Sequence, residues 1–187
     1  MRQVLITGGG SGIGRGIAQA MADAGDAVTI AGRRMDALQE TDGGRGMTCL
    51  TCDVTDEASV NALFTQPYDV VIANAGAGKS MKLRDMPLDV FKIGLVRALA
   101  TEVARDGITC NAVCPGFVDT PMGQAAAEGV AARFNISLEE ATARITSGNP
   151  MRRMITVDEV VAAVTFLASE GASMVNGHTL SVSGGEI

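Results

Sequence analysis

The sequence has few aromatic residues, no long run of one charge and no long apolar run. It contains no tryptophan, and aromatic residues make up only 3% of its 187 positions, so aliphatic side chains must fill the core. No run of lysine and arginine exceeds two residues and the net charge is −6, which argues against a nucleic-acid-binding surface. The first residues lack the apolar region of a signal peptide, and no run reaches membrane-spanning length. We therefore expect a soluble, cytoplasmic protein with neither nucleic acid nor a membrane as a partner.

The four cysteines and the single histidine do not form a pattern of metal ligands. Cys49 and Cys52 lie in one predicted strand, and Cys110 and Cys114 lie in another. Residues three apart in a strand face opposite sides, and residues four apart are separated by roughly 13 Å at ~3.3 Å per residue. Neither pair can chelate one zinc ion, so we expect reduced core cysteines and no metal site. His178 has no second histidine to partner it and is interpreted as a turn residue.

Apolar segments with strand character alternate with segments of helical periodicity. The predicted strands cover residues 3–7, 27–32, 47–54, 69–76, 108–116 and 178–185. The predicted helices cover residues 15–25, 56–64 and 95–107. Two further helices are predicted to begin at the capping boxes Ser137/Glu140 and Thr156/Glu159. The strand at 69–76 is predicted to be buried on both faces because of its apolar run. The alternation predicts parallel strands with right-handed crossovers, which is a doubly wound α/β fold in a single domain over residues 1–187.

The first chemical motif is ITGGGSGIG at residues 6–14, between the first predicted strand and the first predicted helix. Glycines let the backbone approach a pyrophosphate, whose negative charge meets the positive end of the helix. The dinucleotide fingerprint G-x-G-x-x-G is absent, and the motif reads Thr7-Gly8-x-x-x-Gly12-Ile13-Gly14 instead. Taken alone, such a turn fits either a nucleotide site or a tight strand-to-helix connection.

Five motifs stand in order along the chain: TGGGSGIG at 7–14, CDV at 52–54, NAG at 74–76, NAVCPGFVDTPM at 111–122 and VNGHTLSVSGGE at 175–186. Together they resemble the short-chain dehydrogenase/reductase family, and the resemblance covers nearly the whole chain. It implies a Rossmann-type fold and an NAD(P)-dependent oxidoreductase that interconverts an alcohol and a carbonyl on a small molecule. It also implies a homo-oligomer.

The resemblance implies site residues only where this sequence matches the family's motifs. The pyrophosphate and ribose would be lined by Gly8, Ser11, Gly12, Ile13 and Gly14, the adenine would meet Asp53 and Val54, and the adenine ribose would lie against Asn74, Ala75 and Gly76. The nicotinamide half would contact Pro115, Gly116, Val118 and Thr120. Taken singly, Asp53 also fits a helix cap, and the Pro115–Gly116 pair also fits an ordinary turn.

The end of the second predicted strand bears on the choice of cofactor. An acidic residue there would bind the ribose 2′-hydroxyl of NAD, whereas an arginine would neutralise the 2′-phosphate of NADP. Gly32 stands where relatives that use NAD often have aspartate, and Arg33 follows it, as in many NADP-using relatives. We therefore expect NADP(H), with NAD as the alternative. Arg33 and Arg34 also fit two solvated charges that open a helix.

The residues that carry out the family's reaction are not found in this sequence. In the family a tyrosine acts as acid/base, its pKa lowered by a lysine four positions later, and a serine orients the substrate oxygen. The only tyrosine here, Tyr68, precedes the fourth predicted strand and is interpreted as a loop residue that packs beneath it. Lys92 has Leu88 four positions before it. We therefore assign no catalytic residue.

The missing residues belong between Phe91 and Gly94, where two half-helices of the family's fold join at or beside Lys92–Ile93. About two βαβ units, each of roughly 30 residues, are absent there, including a central strand of the sheet. Its loss should leave the two neighbouring strands without partners on one side. Either the sequence omits part of a longer enzyme, which we favour, or the protein carries a true deletion.

Residues 121–150 lie where relatives have a helical substrate lid, and the apolar side chains of Phe134 and Ile136 favour an apolar or acyl-bearing substrate. The same side chains also fit simple packing against the core. Three functions remain open from the sequence: an oxidoreductase whose reaction residues lie outside this chain, a catalytically inactive dinucleotide-binding protein, and a non-binding fragment that persists only in an oligomer.

Overall fold

The computed structural model describes residues 1–76 and 88–186, and the side chains of 1–76 and 95–186. Its elements in chain order are β1 (Gln3–Thr7), α1 (Gly12–Asp23), β2 (Ala27–Gly32), α2 (Met35–Asp42), β3 (Thr48–Thr51), α3 (Glu57–Asn61), β4 (Val70–Ile72), α4 (Leu88–Val103), β5 (Ala112–Pro115), α5 (Pro121–Phe134), α6 (Leu138–Ile145), α7 (Val157–Leu167) and β6 (Thr179–Val182). The chain divides into two compact units, Met1–Ala77 and Gly78–Ile187, and each is described by itself.

The first unit is built on a four-stranded parallel sheet in the order β3-β2-β1-β4. The central strands β1 and β2 begin and end at the predicted residues. Each is a short apolar run with a glycine at its end: Gly8 follows β1, and Gly32 is the last residue of β2. Val4, Leu5 and Ile6 of β1 are fully buried. Leu5 and Ala31 belong to one core cluster, while Val4 and Ile6 face the other side of the sheet because side chains alternate along a strand.

The second unit contains a two-stranded parallel sheet of β5 and β6, against which α7 packs. Helices α5 and α6 pack on each other within residues 121–145. Both predicted capping boxes are confirmed: the hydroxyls of Ser137 and Thr156 accept from backbone N–H groups of Glu140 and Glu159, whose carboxylates accept in return. The parallel strands and flanking helices confirm the predicted α/β class. That residues 1–187 form a single domain stays a prediction.

β4 and β5 each have an unpaired edge within the described residues. β4 pairs only with β1, and β5 pairs only with β6. The prediction that the fourth strand is buried on both faces is wrong, because Val71 is 49% exposed. Its side chain stays exposed because the described residues do not cover that face of the strand. That a central strand of the sheet is missing stays a prediction.

The predicted junction at Lys92–Ile93 lies inside α4, which is one continuous helix from Leu88 to Val103. The prediction that this helix begins at residue 95 is therefore wrong, since the turns before the junction continue in helical geometry. Strands β3, β4 and β5 are also shorter than predicted. Each apolar segment of the sequence is longer than the part of it that forms hydrogen bonds with an adjacent strand. Within the described ranges, no helix is long and apolar enough to cross a bilayer.

The cysteines agree only in part with the prediction of core residues. Cys52 is buried and Cys49 and Cys110 are half-buried, and burial raises the pKa of the Cys49 and Cys110 thiols, so they stay protonated. Cys114 is exposed, which corrects the prediction, because it lies near the end of β5 on a sparsely covered sheet. Tyr68 packs against the cluster around Leu5, as predicted.

Candidate functional site

The candidate site lies where the four strands of the first unit end. The glycine turn follows β1, Arg33 follows β2, Asp53 comes after β3, and Asn74 comes after β4. Because all four strands are parallel, these segments meet at one edge of the sheet. The chain reverses its direction across the sheet between β1 and β4, and ligands of open α/β sheets bind outside such a switch point.

The glycine turn has no room for a side chain at Gly8, Gly9 or Gly14. Gly8 has a left-handed φ of +70°, and its N–H donates to the carbonyl oxygen of Ala31 over 2.7 Å. A Cβ atom on Gly14 would collide with the carbonyl oxygen of Gly8 and would lie 2.5 Å from the amide nitrogen of Asn74. These contacts bring the turn against the start of α1, and only glycine permits so close an approach.

The N-terminus of α1 offers unpaired donors. Ser11 is its N-cap residue, in extended conformation, and its hydroxyl makes no capping hydrogen bond. No acidic side chain stands in the first turn. Within residues 1–76 no group accepts from the backbone N–H of Gly12, Ile13 or Gly14. Three N–H groups at the positive end of a helix form a site for an anion.

Asn74 and Thr7 fasten the end of β4 to the glycine turn. The side-chain amide of Asn74 donates to the carbonyl oxygen of Thr7 over 3.0 Å and to that of Gly8 over 3.4 Å. The Thr7 hydroxyl accepts from the backbone N–H groups of Asn74 and Ala75 at 3.1 and 3.0 Å. Asn74 and Ala75 therefore shape the turn, while Gly76 is exposed beyond them.

Asp53 is not a helix cap. Asp56 caps α3 instead, accepting from the backbone N–H groups of Ala58 and Ser59. One oxygen of Asp53 accepts from the backbone N–H of Thr55 over 3.0 Å and from its hydroxyl over 2.8 Å. These two donors, with a smaller contribution from the Arg33 guanidinium, hold the pKa of Asp53 below its usual value. The exposed carboxylate is therefore charged near neutral pH and lies in the field of Arg33.

Arg15 is a residue of this region that the sequence reasoning missed. Its guanidinium donates to the carbonyl oxygen of Gly10 over 2.9 Å, to the hydroxyl of Thr41 over 3.1 Å and to the carboxylate of Glu40 over 3.0 Å. It thus joins the glycine turn to α2. Its partners in α2 lie about 25 positions away along the chain, and no local pattern signals such a contact.

The remaining predicted residues lie in the second unit. Gly116 follows β5, and its N–H donates to the carbonyl oxygen of Val182 over 3.2 Å. Val118 is buried and pairs with Ile155 in an isolated parallel bridge. Thr120 caps α5 by accepting from the N–H of Gly123 over 3.2 Å. Thr120 and Val118 thus have structural roles.

The first unit brings together the predicted residues of the pyrophosphate and adenosine half. They are Gly8, Ser11, Gly12, Ile13, Gly14, Arg33, Asp53, Val54, Asn74, Ala75 and Gly76. The second unit holds Pro115, Gly116, Val118 and Thr120 within one segment. Tyr68 takes no part in either set, since its hydroxyl donates to the carbonyl oxygen of Leu63 over 3.1 Å on the sheet's underside. Among the described residues, no three acidic, cysteine or histidine side chains come close enough to hold a metal ion.

Two family models match the chain, one on each half. The model described as short chain dehydrogenase matches residues 2–93, and the model described as Enoyl-(Acyl carrier protein) reductase matches residues 90–186. The two matches meet at residues 90–93, which is the predicted junction.

Curated relatives align over almost the whole chain. A Streptomyces coelicolor protein assigned as a ketoacyl reductase is 30% identical, covering 97% of this chain and 95% of the relative. The 3-oxoacyl-acyl-carrier-protein reductase MabA of Mycobacterium avium is 29% identical, covering 98% and 89%. Among solved structures, actinorhodin polyketide ketoreductase with NADPH is 28% identical with a TM-score of 0.83, covering 98% of this chain and 96% of that one.

The alignments also contain many positions that this chain lacks. The alignment to the Streptomyces coelicolor relative has 248 columns and covers 97% of 187 residues, which is about 181, so about 67 columns hold a residue of the relative alone. That number agrees with the two βαβ units of roughly 30 residues that the sequence reasoning found absent.

Proposed function

This chain belongs to the short-chain dehydrogenase family, and from that premise we propose that it binds NADP(H) at the switch point of the first unit. The observation that carries the proposal is the open N-terminus of α1, where the N–H groups of Gly12, Ile13 and Gly14 have no acceptor among the described residues. A pyrophosphate is an anion that such a terminus accepts. The bare backbone at Gly8 and Gly14 leaves no side chain in its way.

The adenosine half of the cofactor has two further candidate partners. Arg33, at the end of β2, would neutralise a 2′-phosphate, which favours NADP(H) over NAD(H). The second carboxylate oxygen of Asp53 accepts no hydrogen bond from the described residues and would accept from the adenine amino group. Pro115, Gly116, Val118 and Thr120 remain the candidates for the nicotinamide half.

We propose a carbonyl in an acyl chain as the substrate class. The ketoacyl and 3-oxoacyl reductases among the relatives support this choice. Phe134, at the end of α5 in the predicted lid, is 51% exposed, with the guanidinium of Arg144 over its ring at 4.5 Å from the centroid. The bound cofactor would supply a hydride to the carbonyl carbon.

The reaction also needs a proton donor at the carbonyl oxygen, which in the family is the tyrosine beside a lysine. We propose that this donor belongs to the segment of about 67 aligned positions that the sequence lacks. The second candidate function is a dinucleotide-binding protein without turnover, which the absence of a tyrosine–lysine pair from the sequence favours. The intact mass of the protein from its natural source separates the two, since 19.2 kDa would establish a true deletion and a clearly larger value a longer enzyme.

Calorimetric titration of the 187-residue chain with NADPH and with NADH tests the cofactor site. We expect saturable binding of NADPH, with NADH weaker. Arg33→Asp should reverse that preference, whereas Arg34→Asp, an equal change of charge at the next residue, should leave it largely intact. Absent binding by the unchanged chain would overturn the proposal. Turnover is read as loss of absorbance at the reduced-nicotinamide band with a 3-ketoacyl thioester, which this chain should not produce.

Two coarser expectations accompany the proposal. We propose that the protein acts in the cytoplasm and forms a homo-oligomer, as the family resemblance implies. Light scattering coupled to gel filtration checks the second point, and a mass equal to one chain would contradict it.

A further inference from the structure

Arg15, in the first unit, is not among the residues proposed to bind the cofactor. Arg15 lies in the first turn of α1, directly after Gly14, and its side chain is 31% exposed. Its side-chain hydrogen bonds lead to two places: the carbonyl oxygen of Gly10 in the glycine turn, and the Glu40–Thr41 pair in the last turn of α2. One cation therefore bridges the turn that would hold the pyrophosphate and the helix that follows Arg33.

The bond to Gly10 controls the direction of a peptide group in the turn. In a planar trans peptide the carbonyl points opposite to the N–H of the next residue. Because the Gly10 carbonyl points at the guanidinium of Arg15, the N–H of Ser11 points away from it. Within the described part of the chain no group accepts from that N–H. The N–H of Ser11 is thus a further unpaired donor of the turn, and the bond from Arg15 to Gly10 holds the peptide group that carries it.

The attachment at α2 is firm because its acceptor is buried. Thr41 is completely buried, and its hydroxyl donates to the carbonyl oxygen of Ala37 over 2.9 Å while accepting from Arg15 over 3.1 Å. The turn already rests on the same helix, since a Cβ atom on Gly10 would lie 3.1 Å from the Cβ of Ala37. The ion pair with Glu40 adds little, because the Glu40 side chain is 68% exposed.

We propose that Arg15 is a positioning residue for cofactor binding: through Gly10 it holds the glycine turn in the conformation that receives the pyrophosphate. The inference rests on the proposed function. Arg15 acts on the pyrophosphate part and not on the 2′-phosphate, so its loss weakens NADPH and NADH by the same factor. Arg33 in contrast discriminates between the two cofactors.

The test is the affinity of three variants for NADPH, NADH and adenosine 2′-monophosphate, which has the 2′-phosphate but no pyrophosphate. Arg15→Met should weaken both dinucleotides about tenfold, their ratio unchanged, and leave adenosine 2′-monophosphate within about twofold. Arg15→Lys keeps the charge but cannot form the three-way fork, so it should weaken them by several-fold. Arg45→Met is the matched control: Arg45 also joins α1 to the segment after α2, through Asp23, with a side chain 34% exposed, and it does not touch the turn.

The outcomes separate the two proposals. If the unchanged chain binds no dinucleotide, the proposed function fails and this inference fails with it. If the unchanged chain binds but Arg15→Met differs no more than Arg45→Met does, the positioning role is overturned and the proposed function stands. An equal loss for adenosine 2′-monophosphate would mean general damage and would also overturn it. Where Arg15→Met does not fold, Arg15→Lys decides by the same criteria.

Discussion

The two units of this chain differ in how completely they are packed. Eight of the nine largest fully buried side chains in the described residues belong to the first unit, and Val160 is the only one in the second. The first unit has two central strands, β1 and β2, each paired on both sides. The second has two strands with one partner each. A two-stranded parallel sheet is too small to be buried on both faces, which parallel strands normally require.

This difference in packing separates the two sets of candidate site residues. The first unit retains every strand that the switch point needs, so its glycine turn and the residues after β2, β3 and β4 keep their arrangement. In the described part of the second unit, β5 pairs with β6 alone. The candidates for the pyrophosphate and adenosine half of the cofactor therefore lie in the better packed unit, and the candidates for the nicotinamide half lie in the other.

The largest expected effect tests the packing contrast directly. Leu5→Ala removes a fully buried side chain from β1 and should lower the free energy of unfolding by about 3 kcal/mol. Leu180→Ala, in half-buried surroundings in β6, should cost about 1 kcal/mol. Urea unfolding followed by circular dichroism measures both. Equal losses would show that the second unit is packed as well as the first, and the contrast would not hold.

A second test compares two glycines in helices. Gly14→Ala should lower the free energy of unfolding by about 2 kcal/mol and abolish measurable NADPH binding, because the new Cβ atom would collide with the Gly8 carbonyl oxygen. Gly129→Ala in α5 meets no atom within 4 Å and should stabilise the protein by about 0.5–1 kcal/mol. Thermal unfolding and calorimetric titration are the measurements. Retained binding by Gly14→Ala would contradict the close approach of turn and helix.

The third test uses two asparagines that each fasten backbone segments. Asn74→Ala removes bonds to the carbonyl oxygens of Thr7 and Gly8, and Asn111→Ala removes bonds to Val175 and His178. Each variant should lower the free energy of unfolding by about 1–2 kcal/mol, because the backbone groups that the asparagine contacts lose a hydrogen-bond partner. Only Asn74→Ala should also weaken NADPH binding, by several-fold in titration. Equal weakening by both variants would show that Asn74 has no particular part in NADPH binding.

The smallest expected effect concerns acid stability in the second unit. The guanidinium of Arg153, with the backbone N–H of Thr156, lowers the pKa of Glu159 from 4.5 to about 2. A carboxylate with a depressed pKa stabilises the fold above its unfolded value and loses that contribution as the pH falls. The melting temperature of the unchanged chain should therefore exceed that of Glu159→Gln by a small margin at pH 6, and the margin should shrink between pH 4.5 and 2. A difference in melting temperature that stays constant from pH 6 to pH 2 would contradict a stabilising role for the charged Glu159.

The sequence predicts elements that are decided locally. The bounds of β1 and β2 follow from short apolar runs and their glycines, and the caps at Ser137 and Thr156 follow from a four-residue pattern. The ordered motifs also place the candidate site after the correct strands. These features depend on residues that are near each other along the chain.

The features that escaped prediction depend on distant neighbours. Whether Val71 is buried depends on which elements of the fold pack over β4, and the apolar run of the strand does not contain that information. The role of Arg15 depends on the packing of α1 against α2, which brings Thr41 within reach. The start of α4 depends on how two segments of different origin continue as one helix. None of these can be decided from local composition.

The open edge of β4 has a consequence for how the chain behaves at high concentration. Unpaired strand edges invite other chains to add strands and so to aggregate. β4 has only three residues. Asp69, just before it, is bound to β1 at Gln3, since its carboxylate accepts from the Gln3 N–H over 2.7 Å and its own N–H donates to the Gln3 carbonyl oxygen over 2.8 Å. An incoming strand would find few free hydrogen-bonding groups, with a carboxylate at one end. The brevity of β4 thus protects the open edge of the sheet from fibril-like growth.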